Sequence, residues 1–240
     1  MPEKPDKGLV DFGLYSLAFG ENSKAINYNA IAFGRDNEAY GQYAFAAGRD
    51  NKAGYACFVL GRENEATGEQ SFIIGYKNKS SGANSFVSGS ENTASGMRSF
   101  ASGYQSIASG DHSFSNGKFT KAKGESSFAI GQYGVAKGAY SYIEGYGTTE
   151  SSHEASGDYS HVEGRDNKAT ASGAHVGGRG SIAAGAYSFV HGYGLNTDAE
   201  AQMVIGKYNA TNSNALFIIG DGTSSNQRKN IFEVLKNGGF

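Results

Sequence analysis

A column of glycines constrains this chain more than any other feature. Gly20, Gly34, Gly48, Gly61, Gly75, Gly89, Gly103, Gly117, Gly131, Gly145, Gly164, Gly178, Gly192, Gly206 and Gly220 recur at a step of 14 residues in twelve of fourteen intervals. The exceptions are 13 residues (Gly48 to Gly61) and 19 residues (Gly145 to Gly164). A fixed short period signals a repeat architecture rather than one globular core. Each repeat divides in two: a strand-like unit such as Ser85-Phe86-Val87-Ser88-Gly89, then a polar turn and short strand ending in a second glycine, as in Glu91-Asn92-Thr93-Ala94-Ser95-Gly96. The 3.6-residue apolar period of a helix is absent. Two strands and two tight turns per 14 residues predict an all-β parallel solenoid of about fifteen coils, with the glycines supplying positive φ at the corners. Strands are expected near residues 16–19, 30–33, 44–47, 57–60 and 71–74, and onward in phase.

Composition agrees. Glycine accounts for 36 of 240 residues but is periodic, and there are only two prolines, which excludes a disordered linker and collagen. The hydrophobic fraction, 38%, is low for a compact core and sufficient for a thin solenoid. Net charge is −2 with no basic cluster, so no nucleic-acid partner is expected. Cys57 is alone and stands where other repeats carry Ser or Ala, as a small residue in a small slot. Residues 1–8 lack the apolar core of a signal peptide, and no apolar run reaches about 18 residues, so no membrane insertion is expected.

The columns show which side chains stack. Three residues before the repeat glycine stands an aromatic ring: Phe72, Phe86, Phe100, Phe114, Phe128 and Tyr142 among others. Two before it the residue is small or branched apolar (Val59, Ile73, Val87), and five after it comes Ala (Ala53, Ala66, Ala94). Neighbouring strand residues face opposite ways, so the rings and the small residues cannot share one interior. The small residues suit the gap between two strand layers. The rings then form an outer stripe too apolar to leave in water, for which the remedy is self-association, and those six aromatics are the expected contact between chains. Four residues after the glycine, Lys24, Glu38, Lys52, Glu65 and Lys79 alternate in sign, which supports stacking in register. The Arg-Asp-Asn turns, such as 35–37 and 49–51, are expected to be solvated corners.

Three segments follow: a lead-in over residues 1–12, the repeats over 13–220, and a transition segment over 221–240 containing the apolar strand Ile231-Phe232-Glu233-Val234-Leu235. The 19-residue interval places five extra residues within 147–154, where a loop must leave the shaft. Glu150, Ser151, Ser152, His153 and Glu154 on it are the candidate receptor contacts.

The Ser127-Phe128-Ala129-Ile130-Gly131 unit, with the Ala-x-Gly of the second half-turn, resembles the head repeat of YadA-like trimeric adhesins over roughly residues 13–220. That resemblance implies a left-handed parallel β-roll of 14-residue coils, a homotrimer, and attachment to a host surface. Ser160-His161-Val162-Glu163-Gly164 resembles the Ser-His-Ala-Glu-Gly repeats of tail and appendage proteins from phages of Gram-positive bacteria, and residues 214–238 are similar to the passage into their C-terminal region. This second resemblance implies a virion tail location and a further C-terminal chaperone or self-cleaving domain. A structural, non-enzymatic trimeric shaft binding a host cell-surface glycan or protein is therefore expected. A bacterial surface adhesin head is the alternative, and a polysaccharide-cleaving tailspike stands behind both.

No catalytic signature survives inspection. His153-Glu154 lacks the second histidine of a zinc-protease helix, and Gly178-x-Gly180 and Gly192-x-Gly194 lack the third glycine of a dinucleotide loop. No cofactor and no resident metal are expected. One arrangement stands apart. His161 and His175 occupy the aromatic column in successive coils, with Glu144 and Glu163 two residues further along on the same face and His191 in the same column as the glutamates. The plain reading is a hydrogen-bonded polar layer of the contact between chains, and an ion held there is the alternative.

Overall fold

A computed structural model describes residues 13–150 and 152–238. The lead-in over 1–12 lies outside them. The chain divides into two compact units, residues 1–111 and 112–240, a division that the uninterrupted repeat period does not show. Each is a parallel β-solenoid. In the first, the long strands Leu17–Glu21, Ile31–Arg35, Phe45–Arg49, Phe58–Arg62, Phe72–Tyr76, Phe86–Ser90 and Phe100–Tyr104 form one sheet, and two-residue strands such as Lys79–Ser80 form the other. In the second, the long-strand sheet runs through Phe114–Lys118, Phe128–Gln132, Tyr142–Tyr146, His161–Val162, His175–Arg179, Phe189–Tyr193, Met203–Lys207 and Ala215–Asp221. Seven coils and eight meet the expectation of about fifteen. Among the described residues there is no helix, hence none long and apolar enough to cross a membrane.

The strands begin and end one or two residues later than expected, because they run through the repeat glycine: Gly75 pairs Gly89 and Tyr76 pairs Ser90, as Phe86 pairs Phe72. The charged column pairs Lys24 with Glu38, Glu38 with Lys52, Lys52 with Glu65 and Glu65 with Lys79, in the expected register. The 13-residue interval keeps register too. Gly54 follows directly on Ala53, whereas Thr67 intervenes between Ala66 and Gly68, so the missing residue is absorbed in the turn.

Strand alternation sorts the side chains as the columns required. Ile73, Val59 and Val87 are fully buried, as are Ala53, Ala66 and Ala94 from the short strands, while Phe72 on the other face of its strand stays partly exposed. The solvated-corner expectation fails for the asparagines. Asn37, Asn51, Asn64, Asn78 and Asn92 are buried inside the coils as a hydrogen-bonded ladder. Asn64 Nδ2 donates to Leu60 O at 3.2 Å within its own coil and to Gly75 O at 2.8 Å in the next, and its Oδ1 accepts from Asn78 N at 2.9 Å. The left-handed conformation that turns the corner falls instead on the preceding residue, Glu63 at φ 58°. Arg35 and Asp36 do remain in solvent, as an ion pair at 3.6 Å.

The two glycines of a repeat have different reasons. Gly75 takes φ +128°, and a Cβ there would lie 2.0 Å from Gly89 O. Gly82 has no such φ, but a Cβ on it would lie 1.9 Å from Gly96 O. The second-half glycine thus serves close approach of coils, and the positive φ of that corner belongs to Asn84 at 56°. At the end of the second unit, the boundary expected at 220 falls inside the strand Ala215–Asp221. The strand Asn230–Leu235 returns antiparallel to it, pairing Phe232 with Ile219 and Val234 with Phe217.

Asn64→Ala removes the partner of two carbonyls and one amide, each worth about 1–3 kcal/mol when buried unpaired. After partial relaxation, urea unfolding is expected to show a loss of about 2–4 kcal/mol, and an unchanged midpoint would contradict the ladder.

Candidate functional site

The long strands turn their aromatic column outward, and repeat stacking lays ring upon ring. In the first unit Phe58–Phe72, Phe72–Phe86 and Phe86–Phe100 stack at 4.9, 5.1 and 5.0 Å between centroids, within 3–4° of parallel. In the second, Phe114–Phe128 and Phe128–Tyr142 stack at 4.4 and 5.0 Å. Offset-stacked pairs contribute about 0.5–1.5 kcal/mol each beyond the area they bury. Two residues along, on the same face, Phe33, Leu60 and Ile74 are exposed. All six aromatics expected at a contact between chains thus lie on the outward face of their own unit.

In the second unit this face becomes polar and the stacking breaks. His161 packs edge-on against Tyr142 (83° between planes) and against His175 (78°). The register pairs His161 with His175 and Gly177 with His191. Glu144 accepts a hydrogen bond from Tyr142 Oη at 2.9 Å. One donor atom each of Glu144, His161 and Glu163 lies within 4.8 Å of the other two. Glu163 Oε1 is also 3.8 Å from His175 Nε2 and 3.6 Å from His191 Nδ1. Burial, then the neighbouring His161, holds the His175 imidazole below the usual histidine range despite Glu163. Burial, then the bond to Glu144, raises the Tyr142 hydroxyl. The structure therefore brings Glu144, His161, Glu163, His175 and His191 together. Two members lay outside the sequence reading: Tyr142, known there only as a ring, and Gly177. A Cβ on Gly177 would lie 2.6 Å from Glu163 Oε1 and 2.5 Å from His191 Nδ1. The bare glycine lets side chains two coils apart meet, and the pair Gly177-Gly178 was the available signal.

The loop candidates do not stay together. Ser151 lies outside the described residues. Glu150 is exposed and paired with Lys121, and Ser152 Oγ donates to Thr149 O at 2.9 Å. Glu154 points outward from the short strand His153–Ala155 and pairs with Lys137 Nζ at 2.8 Å. His153 is fully buried, which removes it as a receptor contact. It pairs in register with Gly134 and takes the asparagine slot of its coil: Nε2 donates to Glu144 O at 2.8 Å and Nδ1 accepts from Asn167 N at 3.1 Å. These bonds require the neutral Nε2–H tautomer, and burial pushes the imidazole below the usual histidine range. The excursion is therefore 147–152, six residues in place of one, and the chain re-enters the ladder at His153. His153→Asn supplies the group that other coils use and should keep the melting temperature within a few degrees. His153→Ala strands a carbonyl and an amide and should cost about 1–3 kcal/mol; equal stability of the two variants by thermal melting would contradict the assignment.

Five stretches in two overlapping groups, residues 13–37 and 25–51, then 80–106, 94–120 and 108–133, match the family model of the YadA head domain repeat, which spans two copies of the repeat. No curated protein matches the chain. The matched stretches contain the features described above: the outward ring, the buried small residue, the repeat glycine, and the short strand ending in buried alanine. Over residues 13–51 and 80–133 the chain carries YadA head domain repeats in several copies.

Proposed function

We propose that this chain is a structural, non-enzymatic attachment head: a solenoid that assembles as a parallel homotrimer and engages a glycan or protein of a host cell surface. The outward aromatic face carries this reading. In a single chain the rings of Phe72, Phe86 and Phe100 cover only one another's faces along the column and stay partly exposed, and Leu60 and Ile74 beside them are exposed. A contiguous apolar face of this kind marks an interaction site, and a second and third copy supply the matching surface. A trimer also repeats each surface feature threefold, so weak contacts gain by effective concentration. The YadA head repeats support the same class, a head of the trimeric adhesin type acting outside the cell.

The finer placement is a phage or prophage tail appendage, supported by Ser160-His161-Val162-Glu163-Gly164. A bacterial surface adhesin head is the alternative, supported by the family match. An antibody against the chain separates them: labelling of virion tails supports the first, and labelling of the bacterial envelope overturns it. On the solenoid, the excursion at 147–152, with Glu150 exposed on it, is the proposed specific contact.

The assembly is tested by light scattering. The parent chain is expected at the mass of three copies. Phe86→Asp, which places an unpaired charge in a closed apolar contact, should shift it toward one copy while circular dichroism keeps its β signature. A parent mass of one chain would overturn the trimer. Glycan-array binding is expected to fall at least about tenfold when 147–152 is replaced by a single asparagine, and release of reducing ends from host polysaccharide would overturn the non-enzymatic reading.

A further inference from the structure

We propose that Glu144, His161 and Glu163 form a binding site for a divalent transition-metal ion of the zinc type. Their donor atoms lie within 4.8 Å of one another and come from two successive coils brought together by the stacking. Two carboxylates and an imidazole form a ligand set proper to zinc and its neighbours, whereas calcium and magnesium prefer oxygen alone.

Three observations distinguish this group from an ordinary polar patch. His161 Nε2 is buried and has no hydrogen-bond partner within the chain. Its ring has left the stacked column, in which the Phe and Tyr neighbours lie within 3–9° of parallel, to stand edge-on at 83° and 78°. The Glu163 carboxylate, for its part, is ringed by imidazoles at distances too long for hydrogen bonds, 3.8 Å to His175 and 3.6 Å to His191. Ligands bound at about 2.0–2.2 Å to one tetrahedral zinc stand roughly 3.3–3.6 Å apart, a spacing that His191 Nδ1 meets at 3.6 Å from Oε1 and that His175 Nε2 approaches at 3.8 Å. His175 and His191 are thus further donors on the other side of Glu163.

The surroundings fit a built site. Tyr142 Oη donates to Glu144 at 2.9 Å and orients that carboxylate, the kind of outer support that metal ligands commonly have. Gly177 holds open the space into which Glu163 and His191 extend, and a side chain there would collide with both. The ligands all belong to one chain, so the proposal does not rest on the trimer.

The test uses the full chain, stripped with chelator and dialysed, then titrated with zinc chloride in calorimetry and thermal melts. Wild type is expected to take one zinc ion per chain and to melt at a higher temperature with zinc than without. Glu163→Gln, and separately His161→Phe, should each weaken binding at least tenfold. His161→Phe restores the residue usual in this column, so it keeps the fold, and circular dichroism without metal verifies that. Zinc that leaves the wild-type melt unchanged, binding that survives either substitution, or an equal response to calcium chloride would each overturn the site.

Discussion

The closeness of successive coils governs this structure. At Gly75 the carbonyl of Gly89 occupies the place a Cβ would take, and at Gly82 the carbonyl of Gly96 does the same. With both corners pinned this way, a coil can pair with the next only one repeat on. Like side chains therefore stand over like side chains in columns. Inside, the columns admit Ala, Val and Ile, and the one polar column, asparagine, is acceptable because each amide bonds both its own coil and the next. Outside, the same stacking makes a ladder of rings on one sheet and alternating charges on the other.

Departures from the repeat are informative because the lattice around them is so regular. The excursion at 147–152 is tolerated since His153 restores both ladder bonds on re-entry, one to Glu144 O and one from Asn167 N. Replacing rings by His161 and His175, and apolar residues by Glu144, Glu163 and His191, turns a stretch of the outward aromatic face into a cluster of carboxylates and imidazoles. One missing side chain, at Gly177, allows the cluster to close across two coils.

Much of this was legible in the sequence because a period maps directly onto space. The glycine column gave the coil, alternation gave which residues face inward, and the positions of Glu144, His161, Glu163, His175 and His191 gave their meeting. What escaped was anything that depends on which way a polar residue points. Asn37 to Asn92 looked like turn residues, since asparagine favours turns, yet they sit one position past the left-handed corner and face inward. His153 looked like the tip of a surface loop, because the sequence does not mark where an insertion ends. Gly82 looked like a corner glycine, although its role is contact with the next coil.

Hydroxyl-radical footprinting of the assembled protein tests the central claim, that the outward ring column is buried between copies. Phe72 and Phe86 should be strongly protected from oxidation relative to the single chain, while the exposed corner tyrosines Tyr159 and Tyr187 are modified freely. Oxidation of the ring column at the rate expected for its exposure in one chain would contradict the account.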